Sequence, residues 1–281
     1  MTGAADWSGR VGQVWADEWR RTERAFAGIA AVLDATIRDV APSQGRALDI
    51  GCGVGSTTLA LAAGRPALEV TGVDLAAPLT AMAQQRAAKE RRSEGQPTFV
   101  TGDAIAVAGR LAPLDLLVSR HGVMFFDDPV AGFAALRRSA RSGAPLVFSC
   151  FRERTRNDWS HAVDQVLGGA HVAGGYAPGP YALADCAATT TILRAAGWRD
   201  LVATAHDVRY VVGAGDDPVA DALGFYRRIG SAAAILAAAT PGERAVLERK
   251  LADMLATRIR DGAVAFTAAI WIWTARAGEP A

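Results

Sequence analysis

A short apolar run that ends in a glycine-rich turn constrains the fold of this chain more than any other feature. Ala47 and Leu48 precede an acid, Asp49, and glycines then alternate with other residues before a helix-like stretch, 56–63. The three glycines are Gly51, Gly53 and Gly55. A buried strand, a tight turn and a helix in this order form the first unit of a doubly wound α/β sheet, which binds its ligand at the carboxyl end of the first strand. Glycines there can adopt a positive φ angle and let the backbone approach the ligand closely.

The chemistry of this turn favours a cationic ligand over a phosphorylated one. The dinucleotide-binding fingerprint requires glycine or alanine at the place of Ser56, and the turn lacks the lysine and hydroxyl residue of a phosphate-binding P-loop. The carboxylate of Asp49 would repel a pyrophosphate and attract a positive charge. We therefore expect a positively charged nucleoside at the turn, and the same two residues disfavour the alternative of an NAD-dependent oxidoreductase.

Four motifs carry a resemblance to a known family. DIGCGVG at 49–55 resembles the first motif of class I S-adenosylmethionine (SAM) methyltransferases, and VTGVDLA at 70–76, TGDA at 101–104 and LDLLVSRHGVMFFDDP at 114–129 continue the resemblance. The chain is most similar in this respect to the small-molecule methyltransferases of the ubiquinone/menaquinone-biosynthesis type. The resemblance implies SAM as cofactor, S-adenosylhomocysteine (SAH) as product, and a Rossmann-like sheet of seven mostly parallel strands with an antiparallel last strand.

The resemblance also implies which residues contact the cofactor. Asp74, at the end of the second strand, would accept hydrogen bonds from a ribose diol. Asp103 would meet the adenine amino group, and the backbone amide of Ala104 a ring nitrogen. The alternative is that both acids only cap a helix or a turn. The expected cofactor site comprises Asp49, Gly51, Cys52, Gly53, Gly55, Asp74, Leu75, Asp103, Ala104, Ser119, Arg120 and His121.

Apolar runs bounded by turn residues predict the other strands. These runs are 68–73, 98–100, 114–119, 145–151, a strand within 201–212, and a final strand at 264–275. By analogy with the family, the final strand lies antiparallel beside strands five and six.

We expect a single methyltransferase domain with additions to its core. An N-terminal helical cover (1–42) precedes the SAM-binding core (43–151), which is followed by a lid insertion (152–182). The C-terminal part of the sheet (183–281) contains a helical insertion, 217–261.

Capping residues mark three helix starts. Asp128 precedes Pro129, Asp185 precedes an apolar stretch, and Thr240 opens a capping box. The helix after Thr240 is expected to end at Gly262 and to pack with an apolar stripe, or to use that stripe in a homodimer interface. The stripe comprises Leu247, Leu251, Met254, Leu255 and Ile259.

The N-terminal segment predicts an amphipathic helix, because its tryptophans and aliphatic residues recur at spacings of three and four. In one interpretation it folds over the cofactor and brings Arg10 and Trp15 near the methionine end. In the other, its tryptophans only pack against the sheet.

The lid insertion carries the candidate substrate residues. Glycine and proline punctuate it heavily, and aromatic and polar side chains within it suggest a small-ligand pocket. The candidates are His161, Tyr176 and Tyr181, together with His171; each could instead be structural or exposed to solvent.

The reaction that the resemblance implies is an in-line transfer of a methyl group to a small, apolar or aromatic acceptor. Alignment of the reactants can contribute roughly 7–11 kcal/mol, and a base is needed only if the acceptor carries a proton. His121 is the candidate base, or else it packs on the cofactor, and Cys52 is a small buried filler. Oxygen is the favoured target, with carbon and nitrogen left open.

Composition excludes several other functions. The formal net charge is +1, with both signs mixed along the chain, so nothing predicts a nucleic-acid partner. The three cysteines have no metal-ligand spacing and no obvious metal cluster appears, which leaves metal dependence open; a reduced, cytoplasmic protein is expected. The N-terminus does not resemble a signal peptide, and the longest apolar run, 263–275, is too short to span a bilayer.

A non-catalytic SAM-binding protein is the remaining alternative, which the two insertions disfavour.

Overall fold

Helices and strands alternate along the computed structural model, which describes residues 4–90, 95–169 and 176–279. The helices are α1 (Ala4–Ser8), α2 (Arg10–Asp17), α3 (Trp19–Val40), α4 (Ser56–Gly64), α5 (Ala77–Glu90), α6 (Ala104–Leu111), α7 (Pro129–Ser139), α8 (Asp158–Leu167), α9 (Cys186–Ala195), α10 (Pro218–Tyr226), α11 (Ser231–Ala238) and α12 (Pro241–Ala256). The strands are β1 (Gly45–Ile50), β2 (Leu68–Asp74), β3 (Thr98–Thr101), β4 (Leu116–Arg120), β5 (Pro145–Phe151), β6 (Trp198–Gly213), β7 (Ile259–Arg260) and β8 (Ala263–Ala277).

All strands join one sheet of order β3-β2-β1-β4-β5-β8-β6, with β7 paired to β8. Strands β1 to β5 pair in parallel, whereas β8 runs antiparallel to both of its neighbours, β5 and β6. The chain moves outward from β1 to β3 and then returns to the other side of β1 at β4. A crevice opens at such a switch point, at the carboxyl ends of β1 and β4. The predicted Rossmann-like sheet with an antiparallel last strand is confirmed.

Helices cover both faces of the sheet, which explains why its central strands are continuous apolar runs. Every residue of β5 is buried, and Leu116, Leu117 and Val118 of β4 are fully buried. One face packs against α3, α8, α10 and α12. The other face packs against α6, α7 and α9.

The predicted helix starts are confirmed by capping hydrogen bonds. Asp128 accepts a hydrogen bond from the backbone N–H of Ala131 at the start of α7. Asp185 accepts one from the backbone N–H of Ala188 at the start of α9. Thr240 and Glu243 form a reciprocal capping box at α12.

Two boundaries differ from the prediction. Strand β6 is longer than expected because it pairs with β8 along most of its length. Gly262 does not end α12, which already stops at Ala256. Instead, Asp261 and Gly262 adopt positive φ angles of 52° and 72° in the two-residue turn that joins β7 to β8. Asp-Gly is a favoured pair for this hairpin turn, and with β7 the described residues form eight strands where seven were expected.

The α12 stripe packs inside the protein. Leu251 and Leu255 are fully buried in the core beneath α8 and α10, and Leu247 and Met254 pack against the same core. Ile259 lies beyond the helix, in β7.

Ion pairs tie the N-terminal helices to the C-terminal insertion. Asp221 of α10 accepts hydrogen bonds from Arg21 at 2.7 Å and from Arg24 at 2.6 Å. Arg228, just after α10, pairs with Asp17 and Glu18, each at 2.7 Å. Two segments that are far apart in sequence therefore meet above the crevice.

Asn157 anchors the start of α8 to the sheet. Its side-chain amide donates to the carbonyl oxygens of Arg152, Glu153 and Ala269 at 3.1–3.2 Å. Its Oδ1 atom accepts from the backbone N–H of Ala269 at 3.0 Å and from Nε1 of Trp159 at 3.1 Å. The fully buried amide thereby fixes the position of the Trp159 ring.

Replacing Asn157 with Ala should lower the free energy of unfolding by at least about 3 kcal/mol, because several buried donors and acceptors lose their partner at once. Urea denaturation measures the change. Gln13→Ala removes a single exposed hydrogen bond on α2 and is the control, with an expected change within about 0.5 kcal/mol. A loss below about 1 kcal/mol for Asn157→Ala would show that the amide is dispensable.

Candidate functional site

A cavity of about 470 Å³ lies at the carboxyl ends of the parallel strands. The turns after β1, β2, β3 and β4 form one side of it, through residues 49–54, 73–75, 102–105 and 120–122. The N-terminal helices, the segment after β5 and the C-terminal insertion form the other side. The four turns that carry most of the predicted cofactor residues therefore border one crevice.

The first turn has the backbone conformation that its glycines predict. Gly51, Gly53 and Gly55 have φ angles of 67°, 54° and 84°. A Cβ atom on Gly53 would meet no atom within 4 Å, whereas one on Gly51 would lie 2.9 Å from Cα of Gly122. Gly55 does not border the cavity: a Cβ atom there would lie 2.7 Å from the ring of Phe99. Gly51 and Gly53 thus shape the cavity, and Gly55 serves the packing of α4.

Asp49 is a buried carboxyl group at the end of β1. Its Oδ2 atom accepts a hydrogen bond from the hydroxyl of Thr58 at 2.6 Å, and its Oδ1 atom has no partner. Burial raises the pKa of Asp49 to about 7, although the Thr58 hydrogen bond acts in the opposite direction. A cationic ligand would favour the ionised form of this carboxyl group.

Asp74 joins the first two turns. Its Oδ2 atom accepts from the backbone N–H of Gly53 and its Oδ1 atom from that of Ala76, both at 2.9 Å. Burial raises the pKa of Asp74, and these backbone hydrogen bonds oppose the shift. A carboxylate has more lone pairs than two bonds use, so Asp74 can also accept from a ligand. Leu75 borders the cavity beside it.

Asp103 both borders the cavity and caps α6. Its Oδ1 atom accepts from the backbone N–H of Ala106 at 2.8 Å. Ala104 and Cys52 also line the cavity. The Cys52 thiol is fully buried, which raises its pKa well above the ordinary value, and this agrees with its interpretation as a buried filler.

Ser119 has a different place from the one expected of a cofactor contact. It is fully buried and does not border the cavity. Its hydroxyl donates to the carbonyl oxygen of Ile50 at 2.7 Å and accepts from the N–H of Gly122 at 3.1 Å. Ser119 therefore fixes the turn after β4 from behind.

The N-terminal helices supply part of the cavity wall. Trp7, Trp15, Glu23 and Phe26 border the cavity, whereas Arg10 is exposed and does not. The helical spacing of three between Glu23 and Phe26 is a signal that could have identified Glu23.

Glu23 accepts hydrogen bonds from the Ser56 hydroxyl and from the Arg120 guanidinium. Burial opposes ionisation of Glu23, but the charge of Arg120 and the Ser56 hydrogen bond outweigh it and hold the pKa of Glu23 below its ordinary value. The Glu23–Arg120 pair is therefore charged on both sides and neutral as a whole.

Four aromatic residues, Phe26, Phe151, Trp159 and Tyr210, line the cavity together, and we define them as the aromatic wall. Its ring centroids lie 4.9 Å apart for Trp159 and Tyr210, 5.1 Å for Phe151 and Trp159, and 5.7 Å for Phe26 and Tyr210. These four residues come from α3, β5, α8 and β6. Sequence patterns gave no signal that they would meet.

His121 lies beside this wall with an unusual backbone conformation. Its φ angle is 59°, and its ring centroid lies 5.3 Å from that of Phe26 and 4.3 Å from that of Phe151. Its Nδ1 atom lies 2.8 Å from the Ser149 hydroxyl, and its Nε2 atom is buried without a partner. Burial, and secondarily the charge of Arg120, lowers the pKa of His121 to about 3. Such weak basicity disfavours the role of general base and favours the packing alternative.

The lid segment contributes residues other than those predicted. Trp159 and Pro180 line the cavity, whereas His161 and Tyr181 do not. The Tyr181 ring packs behind Phe151, at 5.8 Å.

Tyr176 also lies off the cavity. It is partly exposed, and its hydroxyl donates to the Phe126 carbonyl at 2.6 Å. His171 lies outside the described residues.

Unpartnered polar atoms concentrate at the cavity. Buried polar groups in proteins are rarely left without a hydrogen bond. Four of the seven such side-chain atoms within the described ranges belong to residues that line the cavity: Trp7 Nε1, Asp49 Oδ1, Thr57 Oγ1 and His121 Nε2. This clustering is typical of a site that a polar ligand completes.

Residues 4–90, 95–169 and 176–279 lack the features typical of a metal centre and of a membrane span. No cluster of His, Cys, Asp or Glu there is suited to a metal ion. None of the helices in these ranges has the length and apolarity needed to cross a membrane.

Comparisons with known proteins show which proteins this region of the chain resembles. Residues 48–148 match the family model described as a methyltransferase domain. A curated relative, demethylmenaquinone methyltransferase of Roseiflexus sp. (strain RS-1), is 31% identical over 129 residues, which are 46% of this chain and 47% of the relative. The matched region thus spans about half the length of that relative.

Solved structures share the fold. Phosphoethanolamine N-methyltransferase 2 of Haemonchus contortus in complex with SAM matches with a TM-score of 0.56 and 18% identity, over 99% of this chain and 61% of that one. Magnesium protoporphyrin IX methyltransferase of Synechocystis PCC 6803 with bound SAH matches with a TM-score of 0.53 and 20% identity, over 72% and 90% of the chains.

Replacing Asp49 with Asn should raise the melting temperature of the ligand-free protein near neutral pH. The unfolded carboxyl group ionises around its ordinary pKa of 3.8 and the folded one around 7, so the wild type loses stability as the pH rises through this interval. Asn has no charge to bury and can still accept from Thr58. The gain, measured by scanning calorimetry, should be larger at about pH 8 than at about pH 4.

Asp39→Asn, which changes an exposed acid of α3, is the matched control and should show no comparable pH-dependent gain. An Asp49→Asn variant that melts no higher than the wild type at about pH 8 would refute the buried, unpartnered charge.

Proposed function

We propose that this protein is a SAM-dependent methyltransferase acting on a small molecule. The proposal starts from residues 48–148, which match a methyltransferase domain and have the class I fold. The observation that carries the proposal is the convergence of three acids, Asp49, Asp74 and Asp103, on one cavity beside the glycine turn. Such a site suits a ligand that is positively charged and has no phosphate groups.

The residues present fit this cofactor. Gly53 has open space where a Cβ atom would project, and Asp49 presents an unpartnered buried oxygen. Asp74 would hold the ribose diol, and Asp103 with the Ala104 amide would hold the adenine ring. When bound, SAM supplies an electrophilic methyl group on a positively charged sulfur atom.

The protein's own contribution is alignment and exclusion of water. The N-terminal helices close the cavity opposite the glycine turn through Trp7, Trp15 and Phe26. A nucleophile held between this cover and the turn is in position for an in-line displacement, for which correct orientation alone contributes roughly 7–11 kcal/mol.

The acceptor that we propose is small and apolar or aromatic, with oxygen as the favoured target. The aromatic wall supports this choice, because flat apolar surfaces bind rings by stacking and edge contacts. The charged side chains near it, Glu23 and Arg120, already neutralise each other. The Roseiflexus relative is named for demethylmenaquinone, a quinone, which agrees with such an acceptor.

The remaining features support a small-molecule partner. The net charge of +1 gives no electrostatic footprint for nucleic acid. Cys52, Cys150 and Cys186 are free thiols, which supports our proposal of a reducing, cytoplasmic environment.

Asp74→Asn should weaken SAM binding by at least about tenfold, because it removes the charge from an acceptor of hydrogen bonds. Isothermal titration calorimetry with SAM and SAH measures the change. The control is Asp115→Asn at the opposite sheet edge, where the carboxylate also accepts from a backbone amide, that of Arg46, at 2.8 Å. SAM affinity that is the same in both variants and in the wild type would contradict the cofactor site.

Turnover tests the function directly. Transfer of label from methyl-labelled SAM to a panel of phenols, hydroquinones, amines and carboxylic acids should favour the aromatic hydroxyl compounds. Thermal stabilisation by NAD and not by SAM or SAH would instead support the oxidoreductase alternative. Tight SAM binding without transfer to any acceptor would support a non-catalytic SAM-binding protein.

A further inference from the structure

The hydroxyl of Ser149 settles which ring nitrogen of His121 carries a proton. Ser149 lies on β5 and is fully buried. Within the described part of the chain, its Oγ atom meets Nδ1 of His121 at 2.8 Å as its hydrogen-bonding partner. A buried hydroxyl proton requires an acceptor, so Ser149 donates and Nδ1 of His121 accepts.

The other nitrogen of His121 is therefore a donor. A neutral imidazole carries one proton, and because Nδ1 accepts, that proton lies on Nε2. Burial keeps the ring neutral by lowering its pKa to about 3. The Nε2–H group is buried and has no hydrogen-bonding partner.

The position of His121 points to a ligand as the missing partner. Its ring borders the cavity and contacts two members of the aromatic wall, Phe26 and Phe151. Its backbone has a φ angle of 59°, which is uncommon for residues other than glycine and is found at functional sites. A bond from the His121 N–H to the Ser149 carbonyl, at 3.2 Å, holds the same two residues together through the backbone.

We infer that His121 recognises the methyl acceptor as a hydrogen-bond donor, through Nε2–H, and that Ser149 is the positioning residue that keeps the proton there. The substrate class is then a planar, apolar molecule that presents an oxygen with a free lone pair, a carbonyl or phenolate oxygen, to the aromatic wall. This inference rests on the proposed function and deepens it. It assigns His121 the role opposite to that of a base, which would need the lone pair on Nε2.

Nitrogen-15 NMR of the imidazole groups tests the tautomer without any substrate. The chain has four histidines, and His121→Gln identifies the signals of His121. In the wild type we expect the proton of His121 on Nε2 between about pH 6 and pH 8. A proton on Nδ1, or fast exchange between the two nitrogens, overturns the inference.

Two substitutions of Ser149 separate its hydroxyl from its bulk. Ser149→Ala removes the donor that excludes a proton from Nδ1, so the Nδ1–H form of His121 should become detectable as a minor population. Ser149→Thr keeps a hydroxyl and should restore the Nε2–H form. If Ser149→Ala leaves the tautomer unchanged, Ser149 is not the positioning residue.

A matched pair of probes tests recognition in the SAH-saturated protein. 1-Tetralone and tetralin share a bicyclic skeleton and differ in one carbonyl group. We expect the wild type to bind 1-tetralone about three- to tenfold more tightly, and His121→Phe to remove that preference. His206→Phe, on β6 and away from the cavity lining, should retain it. Equal affinity for the two probes in the wild type, or no binding of either, overturns the inference.

Calorimetry with SAH and NMR of His121 distinguish a missing cofactor site from a different tautomer. Loss of the SAH site itself, seen as no calorimetric binding of SAH to the wild type, would refute the proposed function. SAH binding together with an Nδ1–H tautomer at His121 would refute this inference alone.

Discussion

Acidic side chains are buried at the carboxyl ends of the parallel strands, and this burial determines which ligand the crevice can bind. Asp49 and Asp74 lie in an apolar crevice, where desolvation raises the pKa of each. Within the described ranges neither forms an ion pair, and backbone or hydroxyl donors supply only part of what an ionised carboxylate requires. The fold holds these acids there because the parallel strands β1 and β2 both end at the edge of the sheet that borders the crevice. A cationic ligand is the natural partner for such an arrangement.

The rest of the chain encloses that crevice from two directions. The N-terminal helices and the C-terminal insertion meet through the Asp221 and Arg228 ion pairs. The segment after β5 is held by Asn157, which places Trp159 in the aromatic wall. The polar glycine turn and the aromatic wall thus share one cavity but come from different elements of the fold.

Local patterns predicted the features that local interactions determine. The positive φ angles of Gly51 and Gly53 and the caps at Asp128 and Thr240 each depend on a few neighbouring residues. Local patterns cannot predict the role of Ser119, because its hydroxyl donates to the backbone of another strand, 69 residues away.

The pairs His121–Ser149 and Glu23–Arg120 join residues 28 and 97 positions apart. No periodicity or spacing in the sequence predicts such contacts. Gly262, in contrast, is a local signal, but a glycine can mark a hairpin turn as well as the end of a helix, and the spacing alone does not distinguish the two. Glu23 also has a wider consequence: it lies on the N-terminal cover, yet it neutralises Arg120 at the floor of the crevice. One ion pair thus couples the N-terminal helices to the turn after β4, so the orientation of Arg120 depends on a residue that lies 97 positions away in the sequence.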